Sequence, residues 1–274
     1  MLLNRNREVY PLFSNFKGGN MRILYLGDIV GETTIEVLKQ NLEKIKKDNR
    51  INIVFANAEN VTSGKGLSYK HYKALKSLGI TAFSMGNHTF SKSEIIDYMD
   101  DAQIVRPANY TTSHGKDILY INYNGIKIAL VNLLGRVYNN TPLDCPFKTM
   151  DKLLETIDAD YIIVDFHGDA TSEKRAFFYD FAGSVSAVIG THTHVQTNDP
   201  EVYKNTVYLT DIGMCGPLVS ILGDDKDKII ERFRSGVYTP APVQTTNEFQ
   251  LSGVIMELSD KSTIIPYKEK FLLR

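Results

Sequence analysis

Asp28, Glu59 with Asn60, Asn87 with His88, His167, and His192 with His194 are the residues of this chain whose types and spacing could do chemistry. Each group stands at or just past the end of a short apolar run. Each offers carboxylate oxygen, amide oxygen or imidazole nitrogen, the donors that suit iron, manganese and zinc. Four of the six histidines fall in this set, and histidines kept for packing or solubility have no reason to gather where strands end.

Taken singly, every group has a plainer reading. Asp28, before Gly31 and a helix, could be an N-cap. Glu59-Asn60, with Asn57 nearby, could be an Asx turn. Gly86-Asn87-His88 could be a tight strand-to-loop turn, the glycine bringing two polar residues to one point. His167 could be a hydrogen-bonded structural residue, and His192-Thr193-His194 two exposed loop histidines. Together these readings fail, because turn chemistry does not need a ligand-type residue at five strand ends. Two metals about 3.5–4 Å apart do need a carboxylate between them and several nitrogen and oxygen ligands. Histidines at i, i+2 can reach adjacent metals if the backbone between them is irregular.

The elements that must position these residues alternate along the chain. Ile23–Leu26, Ile51–Ala56 and Ile80–Met85 read as strands that run into Asp28, Glu59 and Asn87. Between them lie helical patterns over Glu32–Lys47, with Ile35, Leu38, Leu42 and Ile45 at helical spacing, and over His71–Leu78. Ser93–Met99 reads as a further helix. Ile118–Tyr123 and Ile126–Leu133 flank Asn124-Gly125, a strong hairpin signal. Ile162–Phe166 leads to His167, Thr171–Phe181 reads as helix, and Val185–Ile189 leads to Gly190-Thr-His-Thr-His194. Val207–Thr210, Leu251–Leu258 and Thr263–Tyr267 read as late antiparallel strands, the last two joined by a turn at Ser259–Ser262. Gly223–Asn247 is polar and irregular and is expected to be a mobile loop. Strands alternating with helices, then hairpins, imply two packed mixed sheets with helices outside.

The bulk properties exclude several classes. A 274-residue chain that is 43% hydrophobic and 23% charged is globular, and a net charge of −1 gives no field to recruit nucleic acid or anionic membrane. No apolar stretch approaches the roughly 20 residues of a bilayer span. Cys145 and Cys215 are far apart and form no CxxC pair, which suits a reduced, cytoplasmic protein. Residues 1–20 lack periodicity and the pattern of a signal peptide, and stand as an N-terminal extension of uncertain status before a single domain over 21–274. Ser63-Gly-Lys-Gly66 does not fit the phosphate-loop pattern and reads as a glycine-rich turn.

The stretches GDIVG (27–31), ANAEN (56–60), GNHT (86–89), RPANY (106–110), DFHGDATSEK (165–174), GTHTHVQT (190–197) and TDIGMCGP (210–217) resemble the calcineurin-like metallophosphoesterases, and more closely their YmdB-like bacterial branch. The resemblance runs from Met21 to the C-terminus. It implies an α/β chain with the calcineurin-like fold, two packed mixed β-sheets flanked by helices in a four-layer αββα sandwich. It implies a phosphodiesterase with two divalent metals, iron or manganese with zinc as an alternative, in which a metal-bridging hydroxide attacks 2′,3′-cyclic nucleotides or a related small nucleotide. By position, Asp28, Glu59, Asn60 and His194 would hold one metal. Glu59, Asn87, His167 and His192 would hold the other, with Glu59 bridging. His88 would contact the phosphate and protonate the leaving oxygen.

Three positions depart from the wider superfamily. Asp28-Ile29-Val30 lacks the usual D-x-H histidine, Glu59 replaces an aspartate, and Thr89 follows GNH where an acid is usual. These are the branch's own departures and argue against protein phosphatase or nuclease activity. Two other readings stand beside the enzyme. One is a metal- and nucleotide-binding regulatory protein whose output is a partner contact. The other is a dinuclear amidohydrolase or aminopeptidase, whose ligand sets are richer in carboxylates or carry a bridging lysine. The expected partner is a small nucleotide phosphodiester, in a homo-oligomer without membrane or stable nucleic-acid binding.

Overall fold

Short apolar runs that are buried on both faces make parallel strands, and the chain builds two sheets from them. The computed structural model describes residues 21–273, so the expected extension over 1–20 lies outside the described residues. The elements are β1 (Met21–Leu26), β2 (Asp28–Ile29), α1 (Thr33–Asp48), β3 (Ile53–Asn57), α2 (Tyr69–Ser77), β4 (Ala82–Ser84), a 3-10 turn (Ser93–Asp97), β5 (Ile104–Val105), β6 (Ile118–Tyr123) and β7 (Ile126–Leu134). There follow α3 (Pro146–Leu154), β8 (Tyr161–His167), α4 (Thr171–Phe181), β9 (Ala187–Thr191), β10 (Glu201–Tyr203), β11 (Thr206–Leu209), β12 (Met214–Pro217), α5 (Lys226–Ser235), β13 (Glu248–Leu258) and β14 (Thr263–Leu272).

One sheet has the order β2-β12-β13-β1-β3-β4-β5, with β14 also paired to β13. Its strands β1, β3, β4 and β5 are parallel. The second sheet has the order β10-β11-β9-β8-β7-β6, with a parallel centre and antiparallel edges. Asn124 and Gly125 both take positive φ, the backbone that a two-residue hairpin turn demands, and they join β6 to β7.

Three apolar layers hold four layers of structure together. Between the sheets, Tyr25, Phe55 and Met256 meet Leu130, Ile163 and Ile189. Outside the first sheet, Leu38, Leu42 and Ile45 of α1 and Leu75 of α2 pack on Leu24, Val54 and Phe83. Outside the second, Met150 of α3 and Phe177, Phe178 and Phe181 of α4 cover Val164, Phe166 and Val188. This is the expected αββα sandwich of two mixed sheets. Among the described residues no helix is long and apolar enough to cross a membrane.

Three local expectations are corrected. Gly223–Asn247 contains the helix α5, started by Asp225, whose side chain accepts the Lys228 N–H, and ended by Gly236 in the left-handed conformation. The helix expected over Ser93–Met99 is a 3-10 turn of five residues. Asp28 is no N-cap: Glu32 precedes α1, and Asp28 lies in β2, paired with Met214 of β12.

Candidate functional site

Parallel strands place their carboxyl ends along one crevice, where open α/β sheets bind ligands. Asp28 lies there in β2, just past the end of β1. Glu59 and Asn60 follow β3, Asn87 and His88 follow β4, His167 ends β8, and His192 and His194 follow β9. Residues far apart in sequence thus meet, and His192 N–H donates to Asp28 Oδ2 at 3.3 Å.

His167 stands at the centre. Its Nε2 is 2.9 Å from Glu59 Oε1, 3.0 Å from Asn87 Oδ1 and 2.9 Å from His192 Nδ1. One ring nitrogen carries at most one proton and cannot satisfy three partners. Such crowding of donor atoms around one nitrogen fits ligands gathered about a common cation. Glu59, His167 and His192 present ligand atoms all within 4.8 Å of one another. The other ring nitrogen, His167 Nδ1, is held 2.9 Å from Thr191 Oγ1.

Next to this cluster, His194 donates from Nδ1 to the Leu222 carbonyl at 2.7 Å. A carbonyl only accepts, so Nδ1 carries a proton and Nε2 is the nitrogen left to face the site. That Nε2 is 3.9 Å from Asp28 Oδ1. Asp28 Oδ1 and Asn60 Oδ1 are buried and have no hydrogen-bond partner. Unpartnered buried oxygens are costly unless a cation takes them. The donor set fits metal ions on these observations.

The irregular backbone expected between the paired histidines is present: His192 and His194 take φ of 100° and 64°. Glycine at 86 proves necessary for space. A Cβ there would lie 2.3 Å from Glu59 Oε2 and 2.4 Å from His167 Nε2. Asn57 makes the Asx turn considered for this segment, its Oδ1 accepting the Glu59 N–H at 3.1 Å. Glu59 is thereby free to face the crevice, where its Oε2 accepts the His88 N–H at 2.9 Å. His71 is half-buried against Thr62 Oγ1, away from these groups, and His114 is exposed.

Charge follows the same geometry. Burial alone would raise Glu59, but the adjoining His167 outweighs it and holds the carboxyl at about 2. Burial would lower His167, yet Glu59 beside it lifts the imidazole to about 9. Burial carries Asp28 up to about 6, against the pull of His194 and His167. His192 falls to about 4 through burial and the neighbouring His167. Burial also lowers His88, partly offset by Glu59.

Several supporting residues were not foreseen. Asp165 is buried behind the site. It accepts from Thr191 Oγ1 at 2.5 Å, from Asn57 Nδ2 at 3.1 Å and from Ser84 Oγ, and Thr191 in turn holds His167. Lys174 and Asp211 form a buried ion pair beneath the His192–His194 segment. The signals were a lone carboxylate inside the apolar run Tyr161–Phe166, and Lys174 at helical spacing from Phe177, Phe178 and Phe181. A cleft of about 120 Å³ opens beside Asn87, His167 and His192, bounded by Gly135–Asn140 and Gly168-Asp169.

A family model described as YmdB-like protein matches residues 24–267. The chain belongs to the YmdB-like family. It is 42% identical over 261 residues to the 2′,3′-cyclic-nucleotide 2′-phosphodiesterase of Bacillus subtilis (strain 168), across 92% of this chain and 97% of that one. Among solved structures, a novel phosphatase from Mycoplasma pneumoniae superposes with a TM-score of 0.85 at 36% identity, covering 93% of this chain and 94% of that one. A hypothetical protein from Thermus thermophilus gives 0.87 at 34% identity, covering 92% and 100%. Haemophilus influenzae NAD nucleotidase shares the fold alone, with a TM-score of 0.52 at 13% identity over 93% of this chain and 56% of that one. The YmdB-like fold seen here is the calcineurin-like one.

Proposed function

We propose that the chain hydrolyses 2′,3′-cyclic nucleotides, or a related small nucleotide diester, at a centre of two metal ions. That it is an enzyme of the phosphoric diester hydrolase class goes with its family. Two observations carry the two-metal reading: Asp28 Oδ1 and Asn60 Oδ1 are buried without a hydrogen-bond partner, and His167 Nε2 is separately crowded by three other donor atoms. Asp28, Glu59, Asn60 and His194 would hold one ion, and Glu59, Asn87, His167 and His192 the other. Oxygen and imidazole donors without thiolate suit iron or manganese, with zinc the alternative. We place the protein in the cytoplasm, where free thiols such as Cys145 and Cys215 persist.

Metal ions held by these residues would supply positive charge for the phosphate and lower the pKa of a bound water. The protein's own part is to keep the centre cationic. Asn60 and Asn87 offer neutral amide oxygens, so Asp28 and Glu59 bring the only carboxylate charges among the assigned ligands. His88 stands with Nε2 3.4 Å from Asn87 Nδ2 and Nδ1 3.4 Å from Ser91 Oγ. Its lowered pKa leaves it neutral near pH 7 in the free protein, and an arriving phosphate anion raises its proton affinity. The proton that His88 hands to the leaving ribose oxygen is then acquired as the substrate binds, help worth roughly 10²–10⁴-fold.

The test is anaerobic purification with metal analysis, followed by a panel of esters. About two equivalents of metal per chain are expected. Bis-p-nitrophenyl phosphate should be turned over faster than p-nitrophenyl phosphate, whose extra charge calls for added Arg or Lys: Lys174 is already paired with Asp211, and Lys65 is the lysine that acts on His88. One equivalent at most, with every ligand intact, would overturn the dinuclear reading. A preference for the monoester would overturn the diesterase reading.

A further inference from the structure

The cleft beside His167 and His192 has one wall that the metal centre does not explain. Arg136–Asn139 forms a turn closed by the Asn139 N–H on the Arg136 carbonyl at 3.2 Å. Its third residue is Tyr138, at φ 62°. A turn with positive φ at that position ordinarily takes glycine or asparagine, and a bulky residue adopts it only under constraint. The constraint is visible. Glu173 of α4 accepts the Arg136 N–H at 3.0 Å and the Val137 N–H at 3.1 Å. Asn139 brackets the other side, donating to the Gly135 carbonyl at 3.3 Å and accepting the Thr141 N–H at 2.9 Å.

What this strained turn displays is an aromatic ring that the fold does not use. Tyr138 is 84% exposed, and among the described residues it makes no hydrogen bond or ring contact. It nevertheless lines the same cleft as Asn87, His167 and His192. Gly135 and Gly168 line it too, in such close contact that a Cβ on Gly168 would meet the Gly135 Cα at 3.2 Å. No side chain rises from them, so a flat group can lie across them.

We propose that Tyr138 is the stacking platform for the nucleobase of the substrate, making Gly135–Asn140 a base-binding subsite of the phosphodiesterase. The inference rests on the nucleotide reading above. A small nucleotide with its phosphate at the metal centre has a planar base to place, and the aromatic wall is within the same cleft. Stacking tolerates every base, since each has a π face. The exposed amide of Asn140, in the same cleft, offers a donor and an acceptor to a base edge.

The test compares two cyclic diesters on the metal-loaded full chain: adenosine 2′,3′-cyclic phosphate, and glycerol 1,2-cyclic phosphate, which has no base. Tyr138→Ala should lower kcat/KM for the nucleotide by about 5- to 150-fold, the usual effect of removing one stacking aromatic. It should leave the glycerol diester unchanged, and Tyr138→Phe should retain both activities. Tyr138→Gly separates function from folding. It relieves the turn and should raise Tm, yet lose the nucleotide preference just as the alanine variant does. Calorimetric binding of adenosine 2′-monophosphate should weaken in the alanine and glycine variants, a readout that needs no turnover. Equal losses on both diesters, or an undiminished nucleotide rate and affinity, would overturn the subsite. A wild type that binds adenosine 2′-monophosphate through Tyr138 but cleaves neither diester would instead overturn the phosphodiesterase reading and leave the base site standing.

Discussion

Lys174 Nζ lies 2.9 Å from Asp211 Oδ2, and both groups are almost wholly buried. The ammonium also donates to the Thr191 carbonyl at 2.7 Å, and the same carboxylate oxygen accepts the Thr193 N–H at 3.0 Å. The pair therefore clasps the segment that carries His192 and His194. Removing one partner of a buried ion pair costs about 3–5 kcal/mol. Lys174→Met should lower the unfolding free energy by that order and weaken metal retention. Urea denaturation and metal analysis of the variant measure both, and wild-type values in both would show that the clasp is dispensable.

Gly86→Ala should abolish metal binding while leaving the fold in place. The new methyl carbon would stand 2.3 Å from Glu59 Oε2 and 2.4 Å from His167 Nε2, so one of these must leave its position. Neither can move far, since both side chains are buried in a packed interior. Circular dichroism should be native and bound metal much reduced. A variant that binds metal like the wild type would show that the cradle can widen.

Metal loading should release protons. In chelator-treated protein, Glu59 lifts His167 to about 9, so the ring is a cation at neutral pH, whereas a metal needs it neutral. Calorimetric titration with Mn²⁺ in buffers of different ionisation enthalpy should show close to one proton released per chain near pH 7.5. The release should fade as the pH rises through about 9 and grow below about 6, where Asp28 also holds a proton. Stability follows the same sign. A folded pKa raised above its ordinary 6.5 stabilises the metal-free protein fully below that value, and the contribution is lost as pH rises through about 9. Loading without proton release at pH 7.5 would contradict the Glu59–His167 ion pair.

His88→Ala should keep both metals and lose roughly 10²–10⁴-fold in activity on cyclic nucleotides, the usual worth of a general acid. The loss should shrink on nitrophenyl esters, whose leaving group needs no proton. Metal analysis and paired rate measurements decide the role. Lost metal would make His88 a ligand, and equal losses on both esters would make it a phosphate-binding residue.

Patterns that depend on near neighbours were legible without coordinates. Thr171–Phe181 carries its apolar face in its own spacing and forms a helix over those residues. Asn124-Gly125 predicts its hairpin because the turn's backbone suits those two residue types. The helix α5 was hidden because only Ile229 of it is buried, which leaves no apolar stripe to read. β2 and β12 are two and four residues long and exist only because β12 pairs with β2 on one side and β13 on the other.

By itself the sequence determined which residue types stand at the strand ends, and in what order, because a strand followed by a ligand-type residue is a local pattern. Only the tertiary structure decided which nitrogen of His194 faces the site, since a carbonyl at Leu222, 28 residues on, engages the other. It alone decided that Glu59 and His167 share a buried space that Gly86 keeps open, and that Lys174 and Asp165 serve the site from behind. It also put Tyr138 on a cleft that Asn87, His167 and His192 line as well. These are facts of distance between segments far apart in the chain, and two packed sheets set them where spacing along one strand or helix cannot.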